Sequence, residues 1–296
     1  MTNSWMDLKD TDVALVMGAN VAENHPMAMK HLQMAKDDHD ALLIHVDPRF
    51  TRTSARADIY APLRSGTDIA FLGGMMNYIL SKNLFFRDYV ATFTNASFIV
   101  DDAYGFKDGM FSSWDPATKK YTQADWVFKM EGEDDKKKPV TDPTLTNPRC
   151  VLQLMKQHYS RYTLEKVSAV TGTPVADLEK VYAAFASTGK PDKTGVIMYA
   201  MGTTQHTVGS QNVRSYAIIQ MLLGNIGVPG GGVAAMRGES NVQGSTDYAL
   251  LFGNLPGYLN SPKANADHEN LEAYLKKETP KGGFKTNTPK WTVSLL

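Results

Sequence analysis

Three short polar clusters each close an apolar run, and each carries residue types that could hold a charged ligand. The first is Gly18-Ala-Asn20-Val-Ala-Glu23. Its single glycine suits a tight turn, but the G-x-G-x-x-G fingerprint is not there, which disfavours ordinary NAD recognition. Asn20 and Glu23 offer an amide and a carboxylate near a helix N-terminus; equally, Asn20 is a plain turn residue. The second cluster is Asp47-Pro-Arg49, with Asp47 placed 29 residues past Gly18. An acidic residue there can accept ribose hydroxyls, as in dinucleotide folds, and Arg49 can pair with a phosphate or stack on a base. The bland alternative makes Asp47 a turn cap. The third is Met201-Gly202-Thr-Thr-Gln205-His206, where a histidine among Thr and Gln reads as a site residue or as a structural one.

Two more stretches belong with these. Ser65-Gly66-Thr-Asp68 reads first as a helix N-cap, and second as a place where Gly66 admits close approach and Asp68 binds a purine edge. Pro229-Gly-Gly-Gly232 and Arg237-Gly-Glu-Ser-Asn-Val-Gln-Gly244 form a glycine-rich stretch that suits a bulky ligand. Arg237 is its fixed cation. A planar guanidinium fits a small carboxylate, with a surface salt bridge as the alternative.

The elements that must position these residues follow from periodicity. Val13–Met17 and Leu42–Val46 are short apolar runs that read as buried strands, and a helix between them starts near Pro26 and runs to about Asp38. That is a βαβ unit, which implies parallel strands. A third short strand over Ile59–Leu63 and helices to Ser81 and over Phe85–Phe93 follow. Residues 101–147 break the pattern: Glu131–Pro139 is a dense charge run that reads as a solvated insertion loop. Helices resume over Arg149–Tyr162, Leu164–Val170 and Val175–Ala186. A strand over Gly195–Ala200 and a helix over Ser210–Leu223 come next. The expectation is an α/β fold, a doubly wound parallel sheet over residues 1–239, followed by a partial second α/β segment over 240–296 with one helix near Glu269–Lys277. In such a sheet ligands bind beyond the carboxyl ends of the strands, where all three polar clusters fall.

Composition narrows the classes further. Lys+Arg and Asp+Glu both count 31 in 296 residues, so the net charge is zero, which argues against nucleic acid as a partner and against a polybasic membrane surface. The single Cys150 excludes an internal disulfide and cannot by itself build a cysteine-ligated cluster, so no metal ligand is assigned. The opening MTNSWMDLKD has neither a basic nor an apolar signal region, and the apolar stretches are shorter than the ~20 residues of a spanning helix. The chain reads as soluble. Physics alone stops at an α/β domain for a nucleotide-like ligand.

Six motifs carry a resemblance. Met17-Gly-Ala-Asn20-x-x-Glu-x-His-Pro26, Val46-Asp-Pro-Arg-x-Thr-Arg-Thr53, Leu63-Arg-Ser-Gly-Thr-Asp68, Tyr199-Ala-Met-Gly-x-Thr-Gln-His206, Leu222-Leu-Gly-Asn-Ile-Gly227 and Arg237-Gly-x-x-Asn-Val-Gln-Gly244 occur in order. Together, and with the tail Pro289–Leu295, they resemble the large subunit of respiratory formate dehydrogenases, in the molybdopterin oxidoreductase (dimethyl sulfoxide reductase) family. The resemblance implies oxidation of formate to carbon dioxide at molybdenum or tungsten held by two molybdopterin guanine dinucleotides, with electrons leaving through an iron–sulfur cluster. It implies that residues 1–239 hold one dinucleotide. Gly18, Asn20, Glu23, Asp47, Arg49, Gly66 and Asp68 would surround the guanosine and phosphates. Met201, Gly202, Gln205 and His206 would lie toward the pterin, and Arg237 would orient formate.

Family members also carry a four-Cys motif for a [4Fe-4S] cluster, then a selenocysteine or cysteine metal ligand, and a C-terminal domain for the second dinucleotide. These patterns do not occur here, so the chain is expected to be a central fragment, inactive alone. The implied partners are formate, the remainder of the large subunit, an iron–sulfur beta subunit and a membrane cytochrome subunit, in a parent enzyme that is periplasmic or membrane-associated. A second reading is a non-catalytic nucleotide-binding module, as in the middle domain of thiamine-diphosphate enzymes. That domain also places Gly-Ala after one strand and Asp-Pro after the next.

Overall fold

The computed structural model describes residues 2–133, 137–236, 244, 248, 255 and 259–296. They fall into two compact units, Met1–Arg237 and Gly238–Leu296. In the first, five parallel strands form one sheet: β1 (Val13–Met17), β2 (Leu42–Val46), β3 (Ile59–Ala61), β10 (Gly195–Tyr199) and β11 (Gly232–Ala235). Their order is β11-β10-β1-β2-β3. All five residues of β1 are buried, as a central parallel strand with both faces covered requires.

Alternation along β1 divides the core. Val13, Leu15 and Met17 enter one apolar cluster with Phe71, Met75 and Tyr182, from helices α3 (Asp68–Ser81) and α7 (Val175–Ala186). Ala14 and Val16 enter the other, with Ala28 and Leu32 of α2 (Pro26–His39). Successive strand side chains point to opposite faces, so a five-residue apolar strand serves two cores. Pro26 sits in the first turn of α2, where its missing N–H costs nothing. The expected doubly wound α/β fold is what forms.

Between Val46 and α3 the chain supplies β3. After α3 it continues through α4 (Arg87–Phe93), α5 (Val151–Tyr159), α6 (Leu164–Thr171) and α7. After β10 come α8 (Met201–Thr204) and α9 (Gly209–Leu223), and α1 (Val21–Asn24) lies between β1 and α2. A buried polar hub ties α9 to the sheet. Gln220 Nε2 donates to the carbonyls of Gly195 (2.7 Å) and Gly232, and Asn225 Nδ2 donates to Gln220 Oε1 and to Thr188 Oγ1, both at 2.9 Å.

Three expectations need correction. The insertion is not a bare loop: its described residues form three small antiparallel strand pairs, β4–β5 (Phe106–Lys107, Met110–Phe111), β6–β7 (Trp114–Asp115, Lys120–Tyr121) and β8–β9 (Met130–Glu131, Lys138–Pro139). Aromatic pairs hold them, such as Phe106 on Phe111 (4.8 Å) and Trp114 on Tyr121 (5.0 Å). The glycine-rich stretch after Pro229 contains β11, which pairs with β10 from Val196↔Gly232 onward. Among the described residues the tail carries two α-helices where one was expected: α10 (Leu271–Glu278) and α11 (Thr288–Leu295). In this second unit His268 Nε2 lies 3.1 Å from Glu278 Oε1, and Tyr274 donates its hydroxyl to the Asn260 carbonyl at 2.8 Å.

Candidate functional site at the carboxyl edge of the sheet

Strand order reverses at β1, with β2 on one side and β10 on the other, so the crevice of a doubly wound sheet belongs between their carboxyl ends. Gly18 leaves β1 with φ +62, in the left-handed region. Its carbonyl accepts a hydrogen bond from the Gly202 N–H at 3.1 Å. A Cβ on Gly18 would stand 2.6 Å from Thr203 Cγ2 and 2.8 Å from the Thr203 nitrogen, and a Cβ on Gly202 2.6 Å from the Gly18 oxygen. The two loops meet backbone to backbone because both residues lack side chains.

Above that contact opens a cleft of about 570 Å³, within the usual range for small-molecule sites. Eight residues anticipated from sequence line it: Gly18, Asn20, Glu23, Asp47, Arg49, Asp68, Gly202 and His206. Met201 and Gln205, both exposed, stand on or just after α8 and do not line it, nor does Gly66, an exposed turn residue with φ +83. Arg237 lies outside the described residues.

The side chains divide by what already holds them. Asn20 accepts from Thr53 Oγ1 at 2.9 Å and donates to Glu23, while Glu23 also faces Arg52 Nε at 3.5 Å. Thr53 Oγ1 in turn accepts the Ala22 N–H at 3.0 Å. These bonds tie α1 to the loop after β2. Asp47 accepts the Arg49 backbone N–H at 2.9 Å, the turn-cap geometry, and its other oxygen stands 3.8 Å from His45 Nε2. The turn-cap reading of Asp47 is what forms, and the residue also lines the cleft. His45 is fully buried, bonded through Nδ1 to Ser54 Oγ at 2.8 Å, and burial lowers its pKa. It stays neutral under the cleft floor.

The Ser65–Asp68 stretch does hold the N-cap of α3, and Asp68 is its first helical residue. Thr67 occupies the N-cap position of α3 without a side-chain cap, its hydroxyl donating backwards to the Arg64 carbonyl at 2.6 Å. Asp68 instead turns its carboxylate to His206, with Oδ2 3.1 Å from Nδ1, close but not aligned as a hydrogen bond. Burial raises the Asp68 pKa; its own backbone N–H and then His206 oppose this without cancelling it. Residues that sequence reasoning passed over include Thr53 and His45. Their only signal was position: Thr53 ends the second motif, and His45 interrupts an apolar strand.

A cleft at the switch point, floored by glycine backbone and edged by three carboxylates, a guanidinium and an imidazole, has the polar lining a nucleotide moiety would use. Comparison with known proteins decides the family. Residues 1–287 match the model of the family described as molybdopterin oxidoreductase. The chain belongs to the molybdopterin oxidoreductase family. It is 55% identical over 302 aligned positions to formate dehydrogenase 2 subunit alpha (cytochrome c-553) of Nitratidesulfovibrio vulgaris, and 48% identical to the nitrate-inducible formate dehydrogenase major subunit of Escherichia coli. Each alignment covers 100% of this chain and 29% of the relative, so the chain spans under a third of their length. Acetylene hydratase from Pelobacter acetylenicus superposes with a TM-score of 0.48 at 21% identity, over 72% of this chain and 21% of that one, a likeness too weak to carry function. Family membership sets aside the thiamine-diphosphate module. Among the described residues no helix is long and apolar enough to cross a membrane.

Proposed function

We propose that this chain forms the part of a formate dehydrogenase catalytic subunit that holds one molybdopterin guanine dinucleotide. The observation that carries the reading is the convergence of Gly18, Asp47, Arg49, Asp68 and His206 on one cleft at the sheet's switch point, in a chain 55% identical to a formate dehydrogenase alpha subunit. On this reading residues 1–239 are the dinucleotide-binding domain and 240–296 begin a neighbouring one. The remainder of the subunit, an iron–sulfur beta subunit and a membrane cytochrome subunit complete a periplasmic or membrane-associated enzyme.

When bound, the cofactor supplies two-electron redox chemistry at molybdenum or tungsten. The chain's own residues bind and orient. Asp47 presents the carboxylate that accepts ribose hydroxyls, fixed by the Arg49 N–H. The Arg49 guanidinium, exposed at the cleft rim, answers phosphate charge. Asp68 and His206 face each other at 3.1 Å and form the polar wall at the base edge and toward the pterin. Gly18 and Gly202 let the two loops meet as the backbone floor beneath the ligand. Arg237, with its fork of donors, orients the formate carboxylate.

The test is binding of GDP against NAD to the purified chain by titration calorimetry. GDP should bind more tightly, because the turn after β1 lacks the second and third fingerprint glycines. Asp47→Ala should weaken GDP by roughly 0.5–1.5 kcal/mol, the net worth of a typical hydrogen bond. Tighter NAD binding would overturn the assignment.

A further inference from the structure

The hairpin insertion builds a second cavity system away from the sheet edge. An apolar groove of about 340 Å³ lies between the hairpins and α5, walled by Tyr104, Phe111, Trp126 and Met155. Tyr104, Leu154 and His158 also line an adjoining polar pocket of about 470 Å³, which holds Arg149, Gln157 and Arg161. The two cavities thus adjoin along shared residues, one lined mainly by apolar side chains and the other by cationic ones.

The cationic end is built rather than incidental. Arg161 lies over the Phe106 ring, 4.6 Å from its centroid, and donates from Nε to the His158 carbonyl and from Nη2 to His158 Nδ1, both at 2.7 Å. A guanidinium has only donors, so His158 accepts at Nδ1 and carries its hydrogen on Nε2 as a second donor. Burial, then the Arg161 charge, lowers the His158 pKa, which keeps the ring in that neutral form. Phe111 stacks on the same imidazole at 6.1 Å and 10°. Arg149 has Asp102 at 3.8 Å, but among the described residues no carboxylate stands within 4.0 Å of Arg161. A fixed cation with no carboxylate beside it among the described residues, set next to an aromatic-lined groove, is half of an ion pair. Its complement is an anion carrying a flat apolar body.

We propose that this groove and the adjoining pocket together bind an amphipathic aromatic anion, with its rings against Phe111, Trp126 and Met155 in the groove and its carboxylate on Arg161 in the pocket. The dimensions favour a small ligand: both chambers fall near the 300–1,000 Å³ of small-molecule sites. The site shares no lining residue with the nucleotide cleft, so it stands whether or not the function proposed above holds.

The probes are 2-naphthoate and its neutral isostere 2-naphthamide, titrated into the purified chain by calorimetry with tryptophan fluorescence as a second readout. Wild type should bind naphthoate at one saturable site, on the order of tenfold more tightly than the amide, as a charge-assisted hydrogen bond provides. Arg161→Met should bring the two affinities together while leaving the amide's own affinity near wild type. Phe111→Ala should weaken both probes alike. Circular dichroism melting verifies that each variant is folded. Equal wild-type affinities overturn the proposal without reference to any variant. So does failure of either probe to saturate, or a naphthoate preference that survives Arg161→Met.

Discussion

Replacing Gly18 by alanine tests the contact on which the nucleotide cleft rests. Two separable costs arise. At φ +62 an alanine is held in the left-handed region, worth roughly 1–2 kcal/mol. Its Cβ would also meet Thr203 Cγ2 at 2.6 Å, the Thr203 nitrogen at 2.8 Å and the Gly202 carbonyl carbon at 2.9 Å. Two of those three atoms are backbone, so no rotamer change relieves them, and overpacking of this kind costs about 1–3 kcal/mol. Against this, alanine restricts the unfolded chain, returning about 0.4–1 kcal/mol. The net expectation is a loss of about 1–4.5 kcal/mol. Two controls separate the parts. Gly66 has φ +83 but nothing within 4 Å of its Cβ position, so Gly66→Ala reports strain alone, about 1 kcal/mol or less. Gly202 is not among the positive-φ residues, yet its Cβ would lie 2.6 Å from the Gly18 oxygen, so Gly202→Ala reports the clash alone. Urea unfolding of the three variants, analysed with common slopes, measures each loss. If Gly18→Ala costs no more than Gly66→Ala, the loops do not depend on the glycine–glycine contact and the account of the cleft floor is wrong.

The remaining predictions use the same cleft and its supports. Burial raises the folded pKa of Asp68 above its unfolded value, so its favourable contribution is full below the ordinary aspartate range and is lost as pH rises through the folded value. Asp68→Asn should therefore be more stable than wild type at pH 7, with the gain vanishing toward the ordinary aspartate pKa. Urea midpoints across that span measure it, and a loss at every pH would mean that the His206 contact outweighs burial. Asn225→Ala leaves the Gly195 N–H, a 3.1 Å donor to Asn225 Oδ1, without its buried partner, and should cost roughly 2–4 kcal/mol of unfolding free energy. In a full-length formate dehydrogenase carrying this segment, Arg237→Lys should lower kcat/KM for formate with metal content intact. Arg237→Ala should lower it further, by roughly a hundred- to thousand-fold if ~3–4 kcal/mol of stabilisation is lost; near-normal kinetics would make the arginine structural.

Much of this was legible in the sequence, for identifiable reasons. Val13–Met17 and Leu42–Val46 are central strands buried on both faces, which leaves continuous apolar runs that periodicity detects. The strand ends then fixed which polar clusters share an edge, and eight anticipated residues do line one cleft. What escaped is what periodicity cannot carry. Strand β11 has four residues, begins with Gly232 at φ +86 and follows a glycine run, so it reads as a turn. The hairpin strands are two residues each, too short for any alternation, and cross-strand rings rather than a core hold them. The Asp68–His206 contact joins residues 138 positions apart, and only the fold brings them together.

The hydrogen bonds also separate two kinds of residue that the sequence groups alike. Asn20 and Glu23 are bonded to each other, to Thr53 and to Arg52, so a ligand calling on either must compete with an existing partner. Asp47 differs: one oxygen is held by the Arg49 N–H, and the other stands 3.8 Å from a neutral His45, beyond hydrogen-bond reach. A carboxylate fixed by one oxygen with the other available loses little freedom when a hydroxyl arrives, which is what makes a binding group preorganised. On the reading proposed here, Asn20 and Glu23 therefore build the cleft wall while Asp47 and Arg49 meet the ligand. The two motifs then contribute to stability and affinity in opposite proportions, even though they sit side by side on the same edge of the sheet.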